Sequence, residues 1–197
     1  GRIGVPVGAI GAGSVSGTLI ATTSGATGDA GGIFVESDQA LKTGALSAGG
    51  NINIKTTGGT STLTVSDTIA TATQTASATP SGSITLDSGA GLVVNNTVTT
   101  GSSTVADTAA ADVATSGSIT LTAVGAVSGT GSLATGTASA SGAQNNDTAT
   151  TGSISVDGTS IRLSNATAAL TTGVPTLTAA SDASDVATSG TITLGPG

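Results

Sequence analysis

Asp112-Val113-Ala114-Thr115-Ser116-Gly117-Ser118-Ile119-Thr120-Leu121 is the stretch on which the fold turns. It returns as Asp147-Thr148-Ala149-Thr150-Thr151-Gly152-Ser153-Ile154-Ser155-Val156 and as Asp185-Val186-Ala187-Thr188-Ser189-Gly190-Thr191-Ile192-Thr193-Leu194. Three copies of D-x-A-T-[ST]-G-[ST]-I-[TS]-[LV] exceed what a biased composition produces. The second half of the motif also stands alone at Gly82-Ser83-Ile84-Thr85-Leu86. It is looser at Gly50-Asn51-Ile52-Asn53-Ile54 and more distant at Gly32-Ile33-Phe34-Val35. The motif glycines at 50, 82, 117, 152 and 190 lie 32, 35, 35 and 38 residues apart. Self-similarity at a nearly fixed period marks stacked structural units.

Within the motif the apolar residues fall at every second position. Ile119 and Leu121 share one face, Ser118 and Thr120 the other, and the same holds around Ile84 and Ile192. A period of two is that of a strand, and Ile, Val and Thr suit a pleated surface. The glycine before each motif supplies a turn. Each unit continues into a second apolar stretch, as in Gly91-Leu92-Val93-Val94, Gly125-Ala126-Val127 with Gly131-Ser132-Leu133, and Ile161-Arg162-Leu163. Ser/Thr/Ala tracts such as 71–78 and 134–143 complete it. No stretch carries an i, i+3, i+4, i+7 apolar stripe, and the Ala-rich pieces at 109–111 and 166–169 are too short to nucleate a helix. The prediction is an all-β chain.

Matching positions in successive units place Ile84, Ile119, Ile154 and Ile192 in one internal stack. Ser83, Ser118, Ser153 and Thr191 form a polar ladder by the same rule. The expected fold is a right-handed parallel β-helix, a β-solenoid, because parallel crossovers are right-handed. Its period is long for one small coil and varies, which predicts loop or hairpin excursions; residues 139–151, with Gln144-Asn145-Asn146-Asp147, read as one. An antiparallel β-sandwich is the alternative, and it explains regular strands better than it explains the identity of successive units. Residues 1–31 read as an N-terminal strand and edge region lying between subunits. Residues 32–197 read as the repeat solenoid, with units starting near 50, 82, 117, 152 and 190.

Gly, Ala, Ser and Thr supply 128 of the 197 residues, and Phe34 is the one aromatic. Large side chains to fill a thick core are therefore missing. The chain has no Cys and no His, which excludes zinc fingers, haem, iron–sulfur and thiol chemistry. Four basic residues and a net charge of −7 exclude nucleic-acid binding, since phosphates need Lys and Arg. No apolar run reaches the length of a membrane span. The first residues show no charged stretch followed by an apolar one, so a processed chain or an excised segment is expected.

Catalytic residues are not expected. Among eleven acidic residues some pair is unavoidable, so two carboxylates alone do not indicate a glycosidase. No cofactor is expected either; calcium is the one candidate, because its ligands are hard oxygens. Asp107 with Asp112, or Asp182 with Asp185, are the pairs that could share it, although the Gly-Gly-x-Gly-x-Asp calcium repeat is absent. The competing reading makes these aspartates turn formers that bond nearby backbone. The pairs Thr62/Thr64, Thr71/Thr73, Thr97/Thr99 and Thr191/Thr193 suggest outward Thr ladders, the alternative function being an ice-binding or glycan-binding β-helix. Against this, Thr simply suits exposed strand positions.

Gly117–Ala123, Gly125–Gly129 and Gly50–Lys55 resemble filamentous-haemagglutinin-type repeats, and the resemblance covers roughly residues 31–194. These repeats are rungs of large bacterial secreted adhesins exported by two-partner or autotransporter routes. The resemblance implies a non-enzymatic, extracellular or cell-surface structural protein without catalytic rungs. Ile3, Val5 and Val7 alternate with Arg2, Gly4 and Pro6 and form a two-faced strand suited to an edge. Gly195-Pro196-Gly197 follows a core motif directly, so an exposed sheet edge is expected there. The expected partners are copies of the chain joined head-to-tail into a filament through the strand of Ile3, Val5 and Val7, or the rest of a longer adhesin.

Overall fold

The computed structural model describes residues 10–11, 18–24, 31–76, 78–106, 111–142, 146–164, 169–178 and 184–196. No helix occurs among them, and every strand pairing is parallel. Two short strands lead in, β1 (Ile10–Gly11) and β2 (Thr18–Thr22). A first coil holds β3 (Ile33–Ser37) and β4 (Leu41–Ala48), and a second β5 (Ile52–Thr56), β6 (Leu63–Val65) and β7 (Ile69–Thr71). The third has five strands, β8 (Ile84–Ser88), β9 (Leu92–Val94), β10 (Val98–Thr99), β11 (Ser103–Val105) and β12 (Val113–Thr115). The fourth repeats them as β13 (Ile119–Ala123), β14 (Val127–Gly129), β15 (Leu133–Ala134), β16 (Ala138–Ala140) and β17 (Thr148–Thr150). The fifth does so again as β18 (Ile154–Asp157), β19 (Ile161–Leu163), β20 (Leu170–Thr171), β21 (Pro175–Leu177) and β22 (Val186–Thr188), and β23 (Ile192–Gly195) opens a sixth.

Equivalent strands stack into four sheets. The first runs β1-β3-β5-β8-β13-β18-β23. The second runs β19-β14-β9-β6-β4-β7-β10-β15-β20, because the long β4 pairs with β6 at one end and with β7 at the other. Two three-stranded sheets, β11-β16-β21 and β12-β17-β22, complete the coils. The arrangement is consistent with a β-solenoid. It excludes the antiparallel β-sandwich, since a sandwich of hairpins would pair consecutive strands antiparallel. β1 and β2, which fall within residues 1–31, pair with β3 and β4 and so lie on the stack itself.

Register follows the motif. Ile33, Ile52, Ile84, Ile119, Ile154 and Ile192 form one column, and Val35, Ile54, Leu86, Leu121, Val156 and Leu194 the next. From the opposite sheet come Leu41, Leu63, Leu92, Val127 and Ile161, then Leu46, Ile69, Val98, Leu133 and Leu170. A one-residue slip would turn every one of these side chains outward, so the register is strongly specified. Apart from the exposed Ile192 and Leu194, they make the main core, with Ile161 and Leu170 partly buried against it.

The two small sheets enclose a second, separate core of Val105, Ala114, Ala138, Ala140 and Ala149, with Leu177 packed against it. Alanine there keeps the two sheets close. The excursion expected at 139–151 belongs to this second lobe, as β16 and β17. Residues 72–76 and 78–81 run beneath it on the side of the second coil: Gln74 N donates to Ser102 O (2.8 Å), Ala78 N to Val113 O (3.0 Å) and Ser81 N to Thr115 O (3.0 Å).

Candidate functional site

A polar ladder runs up the outer face of the first sheet, as the spacing predicts. Ser83 N donates to Asn51 Oδ1 (2.8 Å), Ser118 N to Ser83 Oγ (3.1 Å), Ser153 N to Ser118 Oγ (3.1 Å) and Thr191 N to Ser153 Oγ (3.0 Å). Each hydroxyl thus ties two coils. Two positions further along lie Asn53, Thr85, Thr120, Ser155 and Thr193 in register. Beyond these, Lys55 Nζ meets Asp87 Oδ2 at 2.9 Å, one coil apart. The hydrogen bond to Asp87, its negative charge and, more weakly, Glu36 hold the Lys55 ammonium above its ordinary pKa of 10.5.

The aspartates that open the ten-residue motif also stack. Asp112 N donates to Asp147 Oδ1 (2.9 Å) and Asp147 N donates to Asp185 Oδ1 (3.0 Å), so carboxylates 35 and 38 residues apart serve as backbone acceptors between coils. Asp112 and Asp147 are fully buried, and Asp147 Oδ2 has no hydrogen-bond partner. Of the calcium candidates, Asp107 and Asp182 lie outside the described residues. Asp112 and Asp185 are joined through Asp147. Among the described residues no three carboxylates gather as metal ligands.

Sequence reasoning missed the junction between the two lobes. There the chain leaving β10 passes the chain leaving β12, and two columns of glycine meet. Gly117 sits so close to the carbonyl of Gly82, and Gly136 to that of Gly101, that a Cβ at either position would collide with backbone. Buried hydroxyls bridge the columns. Thr71 Oγ1 donates to Gly82 O (2.7 Å), Thr100 Oγ1 to Gly117 O (2.8 Å) and Thr135 Oγ1 to Gly152 O (3.0 Å). The same oxygens accept from the next coil: Gly101 N to Thr71 (2.9 Å), Gly136 N to Thr100 (3.0 Å) and Gly173 N to Thr135 (3.0 Å). Ser81, Ser116 and Thr151 do likewise for Gly117 N (2.7 Å), Gly152 N (2.9 Å) and Gly190 N (2.8 Å). The signal was present as hydroxyl–glycine dipeptides at unit spacing, Thr100-Gly101 with Thr135-Gly136 and Ser116-Gly117 with Thr151-Gly152.

The Thr-x-Thr pairs do not form Thr columns. Thr71 is buried in this junction. Thr64 lies between Lys42 and Val93, and Thr99 between Ala70 and Ala134. Thr191 and Thr193 follow Ser153 and Ser155. A column of Thr does exist where no pair pointed, at Thr115, Thr150 and Thr188. Ile3, Val5 and Val7 lie outside the described residues. No helix of the described residues is long and apolar enough to cross a membrane. Compared with known proteins, the chain matches no protein-family model, no curated protein and no solved structure.

Proposed function

We propose that the chain is a non-enzymatic structural element, a right-handed parallel β-helix segment of a bacterial surface adhesin of the filamentous-haemagglutinin type, working outside the cell. The observation that supports this best is the unbroken column of isoleucines from Ile33 to Ile192, with a hydrogen-bonded hydroxyl ladder beside it from Ser83 to Thr191. Its chemistry is spent on joining one coil to the next, and each coil adds about 4.8 Å of reach. Stiffness and length are then the product of the fold. Small-angle scattering tests it: inserting a second copy of residues 117–151 should lengthen the particle by one strand spacing at constant cross-section. A particle that grows in all directions would overturn the reading. Adhesion is tested by replacing the segment, within a surface adhesin that carries it, with a flexible linker of equal length; cell attachment should fall.

A further inference from the structure

The second lobe is purely acidic. Its three segments, 101–117, 136–152 and 173–190, hold five aspartates and no Lys or Arg. The described basic residues, Lys42, Lys55 and Arg162, stand exposed on β4, β5 and β19 of the main lobe. Asp112 and Asp147 are nevertheless fully buried. They lie in successive coils, directly before β12 and β17, which pair in register. One carboxylate oxygen of Asp147 accepts from Asp112 N, while the other, Oδ2, is buried with no hydrogen-bond partner among the described residues. A carboxylate taken out of water is stable when it is paired or bound to a metal, and this lobe offers it no basic side chain.

We propose that one calcium ion binds between Asp112 and Asp147 and clips the third coil to the fourth. Carboxylate oxygens call for a hard cation, and the coil spacing chooses among hard cations. Equivalent atoms of adjacent coils stand about 4.8 Å apart. Two Ca–O bonds of about 2.3–2.6 Å span about 4.6–5.2 Å, whereas two Mg–O bonds of about 2.0–2.1 Å reach at most about 4.2 Å. Calcium also accepts irregular coordination, while magnesium demands a near-ideal octahedron. Each coil gives one carboxylate, so the site needs no group of three acids around one point. Backbone oxygens and water complete the shell, as they commonly do around calcium. The ion neutralises both buried charges and gives Asp147 Oδ2 a partner. The site stands apart from the adhesin reading and can fail without it.

The purified chain, stripped of metal with EDTA and dialysed, is titrated with Ca²⁺ by calorimetry up to about 10 mM, above the range of weak extracellular calcium sites. One ion should bind per chain. At about a hundred-fold excess over the dissociation constant the melting temperature should rise by about 5–10 °C, and the same concentration of Mg²⁺ should leave it nearly unchanged. Asp112→Asn and Asp147→Asn should each abolish the binding heat and the thermal shift while keeping the strand circular dichroism. Asp87→Asn, on the first sheet, should bind as the parent does. Hydrogen exchange of the unaltered chain locates the ion without any variant. Thr148 N donates to Asp112 O (2.7 Å), so Ca²⁺ should slow the amides of Asp112 and Thr148 more than those of β5. A chain that neither binds Ca²⁺ nor shifts with it, an equal shift with Mg²⁺, a shift retained in Asp147→Asn, or slowing at Asp112 and Thr148 no greater than in β5 overturns the site.

Discussion

Thr100→Val removes one hydroxyl from the junction between the lobes and leaves the side-chain shape nearly unchanged. Thr100 is 4% exposed. Its Oγ1 donates to Gly117 O at 2.8 Å and accepts from Gly136 N at 3.0 Å, so a single oxygen serves two backbone groups of the following coil. In the valine variant the Gly117 carbonyl stays buried with no donor, a loss of about 1–3 kcal/mol. The Gly136 amide is half-buried and loses part of the same amount, while the added methyl recovers less than about 1 kcal/mol. The net expectation is a loss of about 2–3 kcal/mol, which in a chain of this size lowers the melting temperature by about 2–4 °C per kcal/mol. Far-UV circular dichroism during urea and thermal unfolding measures it. Hydrogen exchange at Gly136 reads the effect locally, which matters in a stack whose coils contribute separately. Two further variants isolate the cause. Thr100→Ser keeps the hydroxyl and should recover most of the loss, and Thr104→Val, exposed on β11, should stay within about 0.5 kcal/mol of the parent. If Thr100→Val matched Thr104→Val, the hydroxyl bridges would not be what holds the lobes together, and the reasoning would fail.

Ile119→Ala should cost about 2–5 kcal/mol, whereas Ile192→Ala, in the same column but at its exposed end, should cost under about 1 kcal/mol; equal losses in chemical denaturation would contradict the stack. Gly117→Ala drives a methyl into the Gly82 carbonyl and should lose at least about 3 kcal/mol, while Gly59→Ala, with nothing within 4 Å of the new atom, should be within about 0.5 kcal/mol of the parent. Asp147→Asn keeps an acceptor for Asp112 N–H and should be the less costly change, against a loss of about 1–3 kcal/mol for Asp147→Ala; a variant order reversed in urea would sink this. Lys55 is held above its ordinary pKa in the folded chain. Its pairing with Asp87 therefore stabilises fully below the ordinary lysine value and is lost as pH rises through the raised one. Because the pair is exposed, Lys55→Met should narrow the alkaline loss of stability by less than about 1 kcal/mol, and added salt should shrink the difference.

The main core was legible because its signal is redundant. Ile119 is marked by period two, by the glycine before it and by copies at equal spacing, and all three point to the same column. The Ser118 ladder was legible for the same reason. The junction was not, because Thr100-Gly101 looks like any turn in a chain so rich in both residues; its meaning lies in a contact with Gly117, seventeen positions away. The aspartate stack was legible in principle too, since Asp112, Asp147 and Asp185 open the three copies of the motif. In a stacked chain the nearest neighbour of a residue is its counterpart one coil away, and Asp147 stands there for both Asp112 and Asp185.

The composition and the cross-section explain each other. A chain with one aromatic residue cannot fill a wide bore, so a long coil must be narrowed somewhere. Here it is pinched at the two glycine columns, leaving one lobe wide enough for Ile and Leu and a second thin enough for Ala. Pinching brings backbone groups into a buried place where strand pairing cannot reach them, and such groups must find partners. Thr and Ser supply these without adding bulk, one hydroxyl to two coils. Hence the abundance of hydroxyl residues is not only a property of the surface: Thr71, Ser81, Thr100, Ser116, Thr135 and Thr151 are all buried. Because every bridge reaches only the adjacent coil, a coil can be added or removed without changing how its neighbours are held. The length of the stack can then vary by repeating the unit.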